Sequence, residues 1–190
     1  MYPSHELLDD YAGGPLVIDV GGGLGYDLQL FDQKHPGHAS QLVLQDRPDK
    51  VAHATCSTEI RRSAHDFFTP QPKSDRGARA YYLHSIIHDY DDCHALKILQ
   101  HLKDAMVPGY SKLLIHDVII PPRKASRRDT SVDVHMLAKL GGRERTEDML
   151  LGLVEGLGFR VRKIWRSDCS EKSILEAELP LLPRQEEYVA

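Results

Sequence analysis

Short apolar runs alternate along the chain with stretches whose apolar residues recur every three or four positions, and this exchange of two periods predicts strand followed by helix. The runs at 16–20 (LVIDV), 41–45 (QLVLQ), 58–64, 79–84 (RAYYLH) and 112–119 (KLLIHDVI) read as strands, being short, β-branched or aromatic, and bounded by Gly, Pro, Asp or polar clusters. Helices are expected at 24–34, which follows a glycine turn and stops before Pro36, and after Asp91. There Ala95, Ile98, Leu99, Leu102 and Met106 recur at helical spacing up to Pro108-Gly109. Two more helices are expected at about 130–140 and 146–157, followed by β-like runs at 159–166 and 172–179, close enough to form an antiparallel hairpin at a sheet edge. Trp165, in the alternating series Phe159, Val161, Lys163, Trp165, reads as part of a half-buried edge strand. Together these predict an α/β fold with a mostly parallel, seven-stranded sheet and helices on both faces, whose ligands sit beyond the carboxyl ends of the strands.

Composition narrows the class. With 190 residues, 41% hydrophobic and 27% charged, the chain has the balance of one globular domain that can hold a core without disulfides or metals. The net charge of −4 and the lack of a basic stripe with interleaved aromatics disfavour nucleic acid; Arg61-Arg62 and the 124–128 cluster read as solvated surface. Cys56, Cys93 and Cys169 are odd in number and have no CxxC spacing, as expected of reduced thiols. Residues 1–14 lack an apolar core of a signal peptide and no apolar run approaches 18 residues, so the expected location is the cytosol, with no membrane partner. The expected layout is a helical lead at 1–15, one domain at 16–179 and a tail at 180–190.

The candidate chemistry begins in the first strand-to-helix turn, Asp19-Val20-Gly21-Gly22-Gly23-Leu24-Gly25, where glycines allow a sharp turn and close approach of a ligand. A dinucleotide fingerprint needs glycine at its sixth position, and counting from Gly21 that residue is Tyr26, which weakens a nicotinamide reading. What stands is acidic-x-G-x-G-x-G, with Asp46 at the end of the next strand, where a carboxylate can take both hydroxyls of a ribose. A second candidate is His88, in His88-Asp89-Tyr90, between the fourth strand and the Asp91-capped helix. Its ordinary pKa near 6.5 suits a base that must deprotonate a phenol, although a lone histidine is more often a hydrogen-bonded structural residue. His84, His88 and His94 with Asp89 admit a metal reading, which is disfavoured because His84 closes a strand and the rings need not converge.

Five motifs occur in order: Ile18-Asp19-Val20-Gly21-Gly22-Gly23, Asp46-Arg47-Pro48, His65-Asp66-Phe67-Phe68, His88-Asp89-Tyr90, and GGRERT at 141–146. In this the chain resembles the S-adenosylmethionine-dependent O-methyltransferases of the plant caffeate and fungal secondary-metabolite type, from Leu16 to about Leu179. The resemblance implies a Rossmann-like class I methyltransferase fold, with S-adenosylmethionine (SAM) as cofactor and a small hydroxylated aromatic metabolite as substrate. Position by position, it places Asp19, Gly21 and Gly23 at the cofactor's amino-acid portion and Asp46 on its ribose. Asp66 and Phe67 would flank the adenine, and His84 stands where the family has lysine or arginine. His88 falls on the catalytic base, and Asp117 and Glu144 on two carboxylates that flank it, Asp117 replacing the more usual glutamate; no metal is implied. Residues 136–140 resemble the substrate-lining segment. Family members carry an N-terminal dimerising helical domain, so the resemblance implies an acceptor face covered by a homodimer or a partner chain, with Met136, Leu137, Leu140, Leu150, Leu151 and Val154 as its apolar contributors. Two functions stay open, an O-methyltransferase and a SAM-binding remnant that serves as a partner subunit.

Overall fold

The computed structural model describes residues 2–120, 144–167 and 170–181, with the side chains of 170 and 171 excepted. The expected helix at 130–140, with the substrate-lining 136–140 segment, Cys169, the 124–128 cluster and most of the tail lie outside the described residues.

Seven strands form one sheet: β1 (Val17–Val20), β2 (Leu42–Asp46), β3 (Arg61–Ala64), β4 (Ala80–His84), β5 (Lys112–Ile120), β7 (Arg160–Ser167) and β8 (Ser170–Glu178), in the order β3-β2-β1-β4-β5-β8-β7. The first five run parallel, so their carboxyl ends share one edge. The order turns back at β1, which pairs with β2 on one side and β4 on the other; the loops leaving β1 and β4 therefore open a crevice between them. The expected hairpin is present, with β8 antiparallel to both β5 and β7. Its second strand fills the interior position and its first takes the edge, where Trp165 donates Nε1–H to Glu176 (2.8 Å) and meets Tyr2 edge-on. An eighth strand, β6 (Arg145–Thr146), was not foreseen; two residues pairing with Ile119 and Ile120 are too short to show a period.

Alternation along each strand divides the core. Ile18, Tyr81, Leu83, Leu113 and Ile115 pack beneath α3 (Asp92–Lys103) and α4 (Glu147–Gly156), whereas Val17, Leu44, Ala80 and Leu114 face α1 (Tyr26–Lys34) and the N-terminal residues Tyr2 and Leu7. Helix starts follow local chemistry: the Asp91 side chain accepts the His94 N–H (2.9 Å), and Thr146 caps α4 through the Met149 N–H. A four-residue turn, α2 (Pro48–Val51), begins at the proline after β2. Leu150 and Val154 correct the expectation of an exposed apolar face, since both lie in the core on the inner side of α4, and Met149 is the side chain that turns outward there.

Leu99 is fully buried at the middle of α3. Leu99→Ala is expected to cost about 2–5 kcal/mol, by lost transfer energy and the cavity left behind. Thermal unfolding should show a midpoint lower by about 5 °C or more; an unchanged midpoint would mean that α3 is not packed as described.

Candidate functional site

The turn after β1 is held from beneath by β2. The Gln45 carbonyl accepts the N–H groups of both Gly21 (2.8 Å) and Gly22 (3.1 Å), and the Gln45 side chain is itself fixed by donating to Gln71 (2.8 Å) and Asp75 (2.7 Å). Asp75 is fully buried and also takes Arg61 at 2.5 Å; although burial opposes its charge, bonds from Ser74, Arg61, Gln45 and Ser63 hold its pKa below the ordinary value. Gly21 has φ of 75°, and a Cβ there would stand 2.5 Å from Ile86 Cδ1. Gly23, at φ 60°, has open space where a Cβ would point, and its N–H donates to Asp46 Oδ2 (2.8 Å). The other Asp46 oxygen accepts the Arg47 N–H (2.7 Å), so the carboxylate is locked while each oxygen keeps a free lone pair.

Beside this turn lies a cleft of about 740 Å³ lined by Gly21, Asp46, Asp66 and Phe67 among others, with Ile86 and Tyr90 on its far wall. Phe67, Phe68 and Tyr90 meet edge-to-face with centroids 5.0–5.8 Å apart, a wall suited to a flat ring. Asp66 accepts the Phe68 N–H (2.9 Å), which orders the loop that presents Phe67. Asp19 sits under the turn: a Cβ on Gly22 would meet its Oδ2 at 2.4 Å, and neither of its buried oxygens has a hydrogen-bond partner among the described residues. Burial, then the charges of Asp27 and Asp46, push its pKa well above the ordinary carboxylate range.

His88 lies on a short 3-10 turn, Ile87–Asp89, between the cleft-lining Ile86 and Tyr90. Its Nδ1–H donates to Glu144 Oε1 at 2.9 Å, across 56 positions of sequence, leaving Nε2 as the basic nitrogen, with Asp89 Oδ1 3.4 Å away. Burial works against the imidazolium, but the Glu144 hydrogen bond and the charges of Asp117, Glu144 and Asp89 outweigh it, and the His88 pKa is raised above 6.5. Asp117 joins this group from the end of β5. One of its oxygens accepts the His88 backbone N–H and the other has no partner among the described residues; burial first, then Glu144, lifts its pKa to about 6.

His84 stands apart. Ser85, at φ 58°, turns the chain as it leaves β4, and His84 meets Asp27 of α1 while His88 meets Glu144. The His84 ring contacts Asp27 (2.5 Å) through Nδ1 and Lys172 (3.0 Å) through Nε2, and stacks on His116 at 4.2 Å. It does not line the cleft that Asp46, Asp66 and Phe67 share. His94 pairs with Asp91, so the three histidines of the metal reading take three different carboxylates, and no group of three or more His, Cys, Asp or Glu among the described residues is placed to hold a metal ion. Sequence reasoning missed Gln45 and Arg145, whose polar side chains carried no motif of their own.

The O-methyltransferase domain family matches residues 6–160. O-methyltransferase mfmE of Annulohypoxylon moriforme is 43% identical over 180 residues, covering 94% of this chain and 44% of that protein. Methyltransferase cfoC of Aspergillus candidus is 40% identical, over 92% of this chain and 44% of its own length. The chain thus spans less than half the length of these curated relatives. Among solved structures, LepI in complex with SAM superposes with a TM-score of 0.86 at 28% identity, over 94% of this chain and 47% of that one. OxaC in complex with SAH and oxaline gives 0.84 at 28% identity, over 94% and 46%.

The raised pKa of Asp117 has a direct consequence for stability. A carboxyl that holds its proton more tightly folded than unfolded contributes fully below about pH 4 and loses that contribution as pH climbs through 6. Asp117→Asn keeps an oxygen for the His88 N–H and removes the buried charge, so it is expected to stabilise the protein at pH 8 by up to about 3 kcal/mol, the advantage vanishing below about pH 4. Denaturant unfolding of the two proteins across that range measures it, and equal stability at pH 8 would show that the buried charge is compensated.

Proposed function

The chain belongs to the O-methyltransferase family, and from that premise we propose that it binds SAM in the cleft beside Gly21, Gly23 and Asp46. It then methylates a hydroxyl of a small aromatic, polyketide- or phenol-like metabolite, with His88 as general base. The observation that carries the reading is the His88–Glu144 contact, an imidazole of raised pKa held by a buried carboxylate on the turn that joins the cleft-lining Ile86 and Tyr90.

The residues fit this cofactor. Gly23 leaves its face of the turn open, and Asp46 presents two free lone pairs to vicinal hydroxyls. Phe67 and Tyr90 offer ring edges to a heteroaromatic base. Asp19, buried without a partner among the described residues, favours a cation above the turn. When bound, SAM supplies an electrophilic methyl group on a positively charged sulfur. A phenol with a pKa near 10 is a weak nucleophile at neutral pH, and His88 Nε2 accepts its proton while Glu144 steadies the imidazolium through Nδ1. Asp117 holds the backbone of the same turn. His84 serves the cofactor side indirectly, by holding Asp27 at the start of α1.

A second reading has one observation in its favour. One solved structure of this fold, TM-score 0.86 at 28% identity, is described as a pericyclic reaction enzyme, so the fold is not tied to methyl transfer.

Incubation of the pure protein with methyl-labelled SAM and a panel of phenols is expected to yield labelled ethers; SAM binding with no product from any phenol would favour the second reading. Asp46→Ala should weaken SAM binding at least about tenfold by calorimetry, and tight binding of NAD in place of SAM would overturn the cofactor assignment. His88→Ala should lower turnover roughly 10²- to 10⁴-fold with cofactor affinity unchanged. Because protonation disables the base, the rate of the unmodified protein should rise with pH through a value above 6.5. Unchanged turnover in His88→Ala would mean that proximity alone drives transfer.

A further inference from the structure

Arg145 follows Glu144 in the chain and is 3% exposed. Burying a guanidinium is costly unless its donors are met, and here they are met by one neighbourhood. Nη1 donates to the Ile87 carbonyl (2.7 Å) and Nη2 to the Tyr90 carbonyl (2.8 Å), while Nε and Nη2 reach Asp92 Oδ1 at 3.1 and 2.9 Å. The ion pair with Asp92 does not by itself explain the burial, because the Asp92 side chain is 47% exposed and could pair with a guanidinium held outside. The two carbonyls do explain it, since they bracket His88.

The backbone of Arg145 is fixed independently, opposite Ile119 in the pairing of β6 with the end of β5. The residue therefore ties the turn that carries the imidazole to the strand that carries its carboxylate partner. We propose that Arg145 is a positioning residue, which sets the His88–Glu144 contact by holding the His88 turn against β6. The inference rests on the proposed role of His88 as base, and it adds a part of the site that touches neither cofactor nor acceptor.

The charged groups facing the His88 ring are Glu144 from the segment before β6, Asp117 from β5 and Asp89 from its own turn. Asp89 moves with the ring as its neighbour in sequence, and Asp117 acts on it through space, an effect that varies slowly with a small shift. Glu144 is the partner that is lost. Lysine in place of Arg145 keeps the charge but cannot span both carbonyls and the carboxylate, because it lacks the planar fork.

The test follows His88 in the isolated protein by NMR titration of nitrogen-labelled imidazoles. In Arg145→Lys the His88 pKa should fall toward 6.5, with SAM affinity unchanged within about twofold. Turnover should fall about tenfold or more, KM for SAM staying nearly constant, since a small misplacement of a reacting group has effects of that size. A folded Arg145→Lys protein with His88 titrating as in the unmodified chain, and turnover unchanged, would reduce Arg145 to a structural residue and overturn the proposal. If Arg145→Lys does not fold, Arg145→Gln, whose amide can reach one of the two carbonyls but not both, takes its place; the same fall in the His88 pKa is expected, and its absence overturns the proposal. The two ideas fail separately: normal turnover in His88→Ala sinks the base assignment, whereas the titration reads the Arg145 tie whether or not methyl transfer occurs.

Discussion

Among the described residues, the carboxyl edge of the sheet buries carboxylate oxygens that no donor meets, both of Asp19 and one of Asp117. Asp19, Asp117 and Glu144 are each exposed by 4% or less, and Asp46 and Asp89 stand close by. Like charges in a poorly solvated site raise one another's pKa, and Asp19, Asp117 and Asp89 are all pushed upward. The edge responds in two ways. Where backbone amides are free, in the glycine turn, they are spent on Asp46; where they are not, the one titratable group that can become positive, His88, is drawn against Glu144. A surface with this imbalance prefers a ligand that brings positive charge, which is the property SAM has at its sulfur and its amino group.

Strand alternation decides which histidine joins which cluster. Tyr82, His84 and His116 lie on the α1 side of β4 and β5, where the Tyr82 hydroxyl donates to His116 Nδ1 at 2.6 Å. Burial, followed by the charges of His84 and Lys172, lowers the His116 pKa to about 4, so this ring stays neutral and accepts. Asp117 is next in sequence, points to the other side with Leu113 and Ile115, and reaches the His88 turn. Neighbouring residues of β5 thus serve separate networks, one that supports α1 and the glycine turn it follows, and one that supports the base.

Much of this was legible in the sequence because the parts that carry it are local. A strand that ends in Asp-x-Gly-Gly-Gly, or a helix capped by Asp91 with apolar residues at helical spacing, is written in a dozen consecutive positions. The strand at 58–64 began later than expected, at Arg61, because Ser57 to Ile60 close a turn before the pairing with β2 starts. What could not be read were pairings of two residues and side chains whose role depends on distant partners. Gln45 acts through a carbonyl and through Asp75, 30 positions on. Arg145 stood inside a recognised motif, yet nothing in that motif says that its guanidinium folds back onto residues 87 and 90.

Asp117 shows how such a dependence concentrates. A glutamate at the end of β5 would have one more methylene with which to approach a ring; the aspartate stops at the His88 backbone N–H. The imidazole is left with Glu144 as its one carboxylate on Nδ1. Asp117 still acts on it through space, but a charge without a directed bond does not fix ring orientation, since the Coulomb energy varies slowly with angle. Orientation therefore passes to the contact across 56 residues, and that contact is as exact as the separation between the 87–89 turn and β6. β6 is anchored by two residues of pairing, too few to resist a shift of the turn by themselves. A buried guanidinium bonded to both sides of the histidine adds to the Asp117 contact in holding that separation, and this offsets a desolvation that would otherwise be costly.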